Sequence, residues 1–362
     1  MYFYERMIGV TIYCLSLIIF TLIISKKKYK NLKRVLFQYT VLLAIMGFLF
    51  VPAKGNDLYR INIALEAYSK YNIETVRQNL LNSMTPVATI LYYGIAKTGC
   101  YSLLPALVTV FVFNNIFYII NDYSRKNDID TRAIAITFLF VMSTGFFIEV
   151  ISGIRTMLAF SILAKCFYDE FYNDRSINKN WIKYIVASLI HSSSIGLIIL
   201  RLIYWLFYNK NIKLIYKMMV IVIVPVIYIL MNKYVLNALE MFSKYMDDGG
   251  YFWIWEFVKI IFLIFVSLII IYKNRILNIN KYYKFNYIII LFTIIFYKEF
   301  NIFLRFNYFN VFMLIPLLMN VSNAVYQNRL KSKNDWIIIS SLILLIISCS
   351  RGNLSSLKFF EL

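Results

Sequence analysis

Long apolar runs separated by short basic segments dominate this sequence. Such runs predict membrane-spanning helices, because a helix needs roughly 20 mainly apolar residues to cross the hydrocarbon core of a bilayer. The clearest runs are 8–25, 35–52, 101–121, 133–150, 153–171, 216–236, 253–272, 285–298, 305–322 and 336–350. Only 15% of the 362 residues are charged, too few to build a surface that faces water. The sequence therefore predicts an all-α, polytopic transmembrane helix bundle of about 10–12 spans, forming one integral membrane domain over residues 1–362.

Positive charge is concentrated between the apolar runs. The 38 Lys and Arg outnumber the 18 Asp and Glu, which gives a net charge of +20. The basic segments are 26–34, 122–132, 172–183, 209–217, 273–284 and 327–333. Basic loops of this kind stay in the cytoplasm and orient a polytopic protein, and no basic domain is left over to bind nucleic acid. Placing all of these segments in the cytoplasm predicts an external N-terminus.

Two apolar stretches do not fit simple spans. Residues 86–98 are too few to cross alone, and 183–208 are interrupted by His191 and three serines that follow it. The topology requires 183–208 to enter and return as two short helices and 86–98 to dip without crossing, both on the external side. Non-helical backbone at membrane depth is tolerated where it lines a wet cavity. The break at 191–194 is therefore predicted to border the functional cavity, with its serines capping freed amides.

The longest external loop is 53–85. Its charged residues recur at helical spacing beside Leu65, Tyr68 and Tyr71, which predicts an amphipathic helix lying on the membrane surface. Basic residues on this side go against the usual charge distribution, so they indicate either an anionic ligand or salt bridges along the helix surface.

Neither a disulfide framework nor a metal site is indicated. The cysteines lie far apart in the sequence, with no CxxC pair, at Cys14, Cys100, Cys166 and Cys349. His191 is the only histidine, and Asp57 has no Asp-x-Asp partner, so no metal or other cofactor is expected. The first apolar run lacks a small-residue cleavage site and is interpreted as a retained span.

Three polar residues stand out at the ends of apolar runs: Arg155, His191 and Arg305. Polar side chains at membrane depth are costly, so each is a candidate functional residue. His191 could serve as a general base or be held structurally by backbone and hydroxyl partners. The two arginines could cap their helices by snorkelling, pair with Glu149 and Glu299, or together hold a pyrophosphate.

The order of these residues resembles a known family. The matching elements are Arg155-x-x-x-Ala159, a basic loop, Ala187-x-x-x-His191-x-Ser193 and Arg305-x-x-Tyr308-Phe309. Together they resemble the EpsG-type branch of the Wzy polysaccharide polymerases. Asp57-x-Tyr59 and the segment from Thr85-Pro86 to Tyr92-Tyr93 fit as well, although Thr85 stands where the family often has Glu. The resemblance covers about residues 50–320.

The resemblance implies metal-independent, inverting glycosyl transfer at the external face of a bacterial plasma membrane. A growing glycan on undecaprenyl pyrophosphate would be moved onto a newly flipped lipid-linked repeat unit. In this hypothesis His191 is the base and Arg155 and Arg305 stabilise the leaving pyrophosphate. Asp57, Tyr59 and Tyr308 would orient the sugar or the histidine. Further partners would be membrane lipid and a flippase and a chain-length regulator of the same pathway.

Three other functions are compatible with the sequence. A transporter or flippase of lipid-linked sugars also needs many spans and a basic cavity, but the two awkward stretches are not placed symmetrically. A membrane O-acyltransferase also uses a buried histidine, yet no catalytic partner accompanies His191 at a recognisable spacing. A glycan ligase shares the chemistry of a polymerase, so residue types do not separate the two. The residues also leave open whether the product is O-antigen, capsule or exopolysaccharide.

Overall fold

The structure is a computed structural model that describes residues 2–26, 31–54, 56–176, 180–208, 252–277, 281–297, 300–327, 329, 333–350 and 357–359. Helices and turns account for nearly all of these residues, and no strand occurs among them. The all-α architecture predicted from the sequence is therefore confirmed. The predicted span 216–236 and the basic segment 209–217 lie outside the described residues.

The first half of the chain contains both long and short helices. They are α1 (Tyr2–Lys26), α2 (Leu32–Leu49), α3 (Asp57–Lys70), α4 (Ile73–Asn82), α5 (Pro86–Thr98), α6 (Leu103–Asn127), α7 (Thr131–Ser143), α8 (Phe146–Ser152) and α9 (Ile154–Phe167). A π-helical turn, Tyr168–Tyr172, extends α9. The remaining helices are α10 (Trp181–Ile190), α11 (Ser193–Tyr208), α12 (Phe252–Ile276), α13 (Lys281–Ile295), α14 (Phe300–Tyr326) and α15 (Asp335–Ser350).

Several helices are long and apolar enough to cross a membrane. In the described part of the chain five do so alone, and the bent pair α7–α8 can supply a sixth span. The prediction of a polytopic bundle is confirmed. Within the described residues the number of single-helix spans is below the predicted 10–12; the predicted span 216–236 lies outside those residues, and α13 has only 15 residues.

The bundle has an inner and an outer layer. In the apolar stretch of α14, 83% of the residues are buried inside the protein, whereas only 28% are buried in that of α1. Leu15, Ile18 and Leu22 of α1 remain about half exposed, as expected of side chains that face lipid tails. On the inner side, Phe160 of α9 packs against Phe306 and Phe309 of α14. The core therefore lies between α6, α9 and α14.

One predicted span, 133–150, is broken in the structure. The chain bends by 55° between α7 and α8, at Gly145. Gly145 has a φ of 74°, a left-handed conformation that glycine adopts without steric cost. A second tight turn follows at Gly153, where an added Cβ would lie 3.0 Å from the Glu149 carbonyl oxygen. These two turns direct the chain so that Arg155 lies in the first turn of α9.

Both awkward stretches of the sequence form short helices. The region 183–208 is divided into α10 and α11 at His191 and Ser192, which confirms the predicted break. The helix α5 has 13 residues, or about 20 Å at 1.5 Å per residue, and is too short to cross a bilayer alone.

The cysteines are closer in space than the sequence suggests. The Sγ atoms of Cys14 and Cys349 lie 3.6 Å apart, and both thiols are free. Spacing along the chain gave no sign of this pair, because it depends on α1 packing near the end of α15.

Candidate functional site

The candidate site lies where α9 begins and α10 ends. These two helices run antiparallel: the Asn180 side-chain amide at the start of α10 donates to the Cys166 carbonyl oxygen near the end of α9, at 3.4 Å. The rings of Phe167 and Tyr184 are 5.8 Å apart at the same end. The opposite ends therefore meet as well, which brings Arg155 close to His191.

The start of α14 completes this group. The Phe306 ring stacks on Phe160 of α9 with centroids 6.2 Å apart. A Cβ placed on Gly196 in α11 would lie 3.6 Å from the same Phe306 ring. The neighbouring Arg305 is thus held beside the break between α10 and α11, and the charges of Arg305 and Arg155 both act on His191. The structure brings together the three polar residues that the sequence singled out.

The His191 side chain is held through its Nδ1 atom. Nδ1 accepts the backbone N–H of Ser193 at 3.1 Å, and the Ser193 Oγ atom lies 2.6 Å from Nδ1. The imidazole, and not a serine side chain, caps this first amide of α11. Because Nδ1 accepts the amide hydrogen, neutral His191 carries its own proton on Nε2. The lone pair of the ring therefore faces Ser193.

His191 lies in the break, outside the candidate membrane spans, and is 9% exposed. Burial, and after it the positive charges of Arg305 and Arg155, lower the pKa of His191 to about 3. The imidazole is accordingly neutral at neutral pH and can accept a proton.

Arg155 and Arg305 have no direct partner. Neither guanidinium makes a hydrogen bond or an ion pair with any residue that the structure describes. Arg155 is exposed and Arg305 is half-buried. The charges that act on Arg305 are those of Asp57, Glu149 and Arg155. Glu299, the other carboxylate considered as a partner, lies outside the described residues. Two cations close to one imidazole, without an ion pair among the described residues, favour an anionic ligand.

Asp57 approaches the site from the start of α3. Asp57 is the first residue of this helix, is exposed, and pairs with Arg60 at 3.8 Å. Its charge acts on both Arg305 and Tyr92. Tyr59 is half-buried in the same turn.

The other charged residues of the segment 53–85 support the salt-bridge interpretation of its basic residues. Lys70 pairs with Glu66 at 3.3 Å, and Arg77 pairs with Glu74 at 4.0 Å. Both pairs lie within one helix and are exposed, so each contributes little to stability.

Tyr308 is placed differently from the other predicted site residues. It is 1% exposed, and its hydroxyl accepts a hydrogen bond from Lys259 of α12 at 3.0 Å. Lys259 in turn pairs with Glu256 at 2.5 Å. The Tyr308 hydroxyl therefore contacts α12. The sequence signal for this contact was an oppositely charged pair, three residues apart, inside an apolar run.

Tyr92 lies close to the candidate site, although the sequence analysis noted it only within the aromatic segment from Thr85 to Tyr93 and gave it no role. It is 7% exposed, and its hydroxyl has no hydrogen-bond partner within the described structure. Burial raises the pKa of Tyr92 to about 12, and the charges of Arg155 and Asp57 and the Tyr68 hydroxyl also act on it. A buried hydroxyl without a partner next to the two charged residues is available to a ligand.

Comparison with protein families identifies the chain. A family profile described as EpsG family matches residues 90–360. The chain belongs to the EpsG family. Membership indicates a multi-pass membrane protein of polysaccharide biosynthesis, a polymerase of the glycosyltransferase type with a lipid-linked glycan as substrate. Comparison with curated proteins and with solved structures gives no significant match.

The matched range includes Arg155, His191, Arg305 and Tyr308 of the EpsG-family chain, as well as Tyr92. It does not include Asp57 and Tyr59, which lie before residue 90. In the described residues there is no cluster of three or more His, Cys, Asp or Glu side chains suited to hold a metal ion. The candidate site therefore contains the neutral imidazole of His191, the guanidinium groups of Arg155 and Arg305, and the Tyr92 phenol. The last three have no hydrogen-bond partner among the described residues.

Proposed function

We propose that this EpsG-family protein polymerises undecaprenyl-pyrophosphate-linked oligosaccharide repeat units by inverting, metal-independent glycosyl transfer at the external face of the bacterial plasma membrane. The observation that supports the proposal is the pair Arg155 and Arg305, which have no ion-pair partner among the described residues and lie beside the only histidine of the sequence. A lipid pyrophosphate is a leaving group that needs cations, and an acceptor hydroxyl needs a base.

The transfer forms and breaks one bond each. The acceptor hydroxyl oxygen attacks the anomeric carbon of the growing chain from the face opposite the pyrophosphate. The bond from this carbon to the pyrophosphate oxygen breaks, and its electron pair leaves with the undecaprenyl pyrophosphate. Arg155 and Arg305 hold the phosphate oxygens as their negative charge increases. The acceptor proton is taken up by His191.

Ser193 provides the route for this proton. The free lone pair of His191 is on Nδ1, which faces the Ser193 hydroxyl at 2.6 Å. The acceptor proton therefore passes to Ser193 Oγ while the Ser193 hydroxyl proton passes to Nδ1. His191 then carries protons on both nitrogens until one is released to water.

Binding of the donor strengthens the base. The positive charges of Arg155 and Arg305 contribute to the low pKa of His191 in the empty site. A bound pyrophosphate brings negative charge to the same place and counteracts them, which raises the pKa of His191. The imidazole thus becomes a better proton acceptor when the donor is present.

The remaining predicted residues have supporting roles in the proposal. Asp57 and Tyr59 orient the sugar from the start of α3, and the free hydroxyl of Tyr92 donates to a substrate oxygen. Tyr308 acts indirectly, by fixing α14 against Lys259 of α12. A flippase and a chain-length regulator of the same pathway would supply the repeat unit and set the product length.

The test is a gel of surface polysaccharide from cells that lack this gene. The cells are complemented with the wild-type gene or with Arg155→Ala, His191→Ala or Arg305→Ala at matched membrane levels. Arg132→Ala is the matched control, because Arg132 is an exposed arginine in the first turn of α7. We expect a ladder with wild type and control, and a single repeat unit with the other three.

Two other results would overturn parts of the proposal. Loss of even the single capped unit from the surface of the deletion strain would indicate a flippase or a ligase. Intact ladders in the three site variants would exclude this site while leaving family membership in place.

A further inference from the structure

A groove between α3, α4 and α5 lies near the candidate site and has no assigned role. It has a volume of about 420 Å³ and is lined by Ala67, Tyr68 and Tyr71 from α3 and its end, and by Asn79 and Asn82 of α4. Small-molecule sites typically measure roughly 300 to 1,000 Å³. The groove is thus large enough for part of an oligosaccharide.

The walls of the groove are fixed in position. The Lys97 ammonium group of α5 donates to the carbonyl oxygens of Ser69 and Tyr71, at 2.9 and 3.0 Å, and holds the end of α3. The hydroxyls of Ser83 and Thr89 lie 3.1 Å apart and join the end of α4 to α5. Both helices are therefore held by α5, and the space between them is preformed.

The polar groups that line the groove are free to bind a ligand. The side-chain amides of Asn79 and Asn82 make no hydrogen bond to any residue in the described ranges, and neither do the hydroxyls of Tyr68 and Tyr71. The two tyrosine rings meet edge to face, with centroids 5.3 Å apart. Amides pair with sugar hydroxyls as donor and acceptor, and a phenol ring offers an apolar face to the C–H side of a sugar.

The groove also connects to the candidate site. The Tyr68 hydroxyl, which lines the groove, acts electrostatically on Tyr92. Arg155 and Asp57 act on the same Tyr92 hydroxyl. Tyr92 is therefore within electrostatic range of both the groove and Arg155. No lysine or arginine is among the described residues that line the groove, so its chemistry suits a neutral, hydroxyl-rich chain better than a phosphate.

We infer that the groove formed by Tyr68, Tyr71, Asn79 and Asn82 binds sugar residues of the lipid-linked substrate beyond the one that reacts. This inference rests on the proposed function and deepens it, since the groove supplies affinity for the repeat unit while the arginines hold the pyrophosphate.

The first experiment uses purified full-length protein in lipid nanodiscs, with lipid-linked repeat units extracted from cells that lack this gene. The variant Asn79→Ala/Asn82→Ala removes two amides, and Gln78→Ala is the matched control because Gln78 is an exposed amide on the same helix outside the groove. We expect the KM of the double variant to rise about tenfold with kcat changed less than twofold, from the loss of two modest hydrogen bonds. The control should keep both constants.

A second variant guards against an indirect effect of the lost amides. Ala67→Trp leaves every polar group in place and fills the groove, so it should raise KM at least as much. An unchanged KM in both variants would overturn the inference.

A binding measurement tests sugar binding in the groove independently of glycosyl transfer. The probe is the oligosaccharide released from the lipid by mild acid, which lacks both lipid and pyrophosphate, and binding is followed by saturation-transfer NMR. We expect binding to wild type and Arg155→Ala and no binding to Asn79→Ala/Asn82→Ala. If wild type binds the probe but makes no polymer, the groove stands and the proposed function fails. If wild type makes polymer and the double variant binds as well as wild type, the groove fails alone.

Discussion

The charged groups near the two ends of α9 differ in whether they are paired. Near the C-terminal end, the Asp122 carboxylate of α6 accepts hydrogen bonds from Lys126, Tyr168 and Asn173 at 2.8 to 3.3 Å. At the start of α9, Arg155 and Arg305 have no such partner in the part of the chain that the structure describes. A charge whose partners are all present holds helices together. A charge left without partners in a water-accessible cavity is available to a ligand.

A second closed network lies just after the end of α9. Glu170, after the end of α9, pairs with Arg201 of α11 and accepts a hydrogen bond from Tyr184 of α10 at 2.7 Å. Arg201 is only 4% exposed. This closed network holds three helices at fixed positions. It thereby fixes the angle at which α10 and α11 leave the break that carries His191.

The largest expected effect comes from opening the closed network. Glu170→Ala leaves the Arg201 guanidinium buried without its carboxylate, which costs about 3–5 kcal/mol. We expect a large fall in the thermal unfolding temperature of the purified protein in detergent. Replacing both members, as Glu170→Leu/Arg201→Leu, should restore most of the loss. Equal instability of the double variant would show that the network is needed for more than charge compensation.

Arg155, His191 and Arg305 form an open cluster, whose charges are not paired with one another or with other described residues. Removing one of these arginines should leave stability intact and lower activity. Arg155→Ala or Arg305→Ala removes a cation that makes no hydrogen bond or ion pair with any described residue, so we expect the unfolding temperature to stay the same or to rise. Glycosyl transfer should fall roughly 10²- to 10³-fold, because a stabilising charge is lost from the transition state. Turnover of lipid-linked repeat units by purified variants measures this. A fall in stability without a specific fall in kcat would place these arginines among the structural charges.

The proposed proton route predicts a smaller effect at Ser193. Ser193→Ala removes only the hydroxyl and keeps the backbone N–H that donates to His191 Nδ1. We expect the rate of glycosyl transfer to fall roughly 10²-fold, the lower limit of typical contributions from acid–base catalysis. Ser192→Ala is the control, since Ser192 is exposed in the same break.

The variants His191→Asn and His191→Gln refine this test, since Asn places an acceptor near the Nδ1 position and Gln places a donor near Nε2. Full activity of His191→Gln would show that the imidazole donates from Nε2 and does not act as a base.

The smallest expected effect concerns pH. With the pKa of His191 lowered to about 3, the free enzyme does not gain a proton on this residue as the pH falls from 8 to 5. We therefore expect kcat/KM, which reports the free enzyme, to change less than about twofold from this group over that range. An acid limb near pH 6.5 that disappears in His191→Gln would show an imidazole with an ordinary pKa.

Sequence reasoning reached the residues of the open cluster but missed the closed network. Arg155, His191 and Arg305 were found because each is a polar residue at the edge of an apolar run, where such residues are costly. Arg201 lies inside an equally apolar run and could have been found by the same rule. Its partner Glu170 could not, because pairing depends on which helices pack together. Apolar helix faces resemble one another in lipid and do not specify this by pattern.

The sequence by itself determined that this protein is a multi-pass membrane helix bundle and that residues 183–208 are broken at His191, and it singled out Arg155, His191 and Arg305. Composition and run length suffice for these conclusions because lipid excludes charge and unpaired backbone. Only the tertiary structure decided which charges are compensated, which nitrogen of His191 faces Ser193, and that Tyr308 turns to Lys259. Hydrogen bonds and ion pairs require separations of about 3 to 4 Å, and the packing of helices distant in sequence sets those separations.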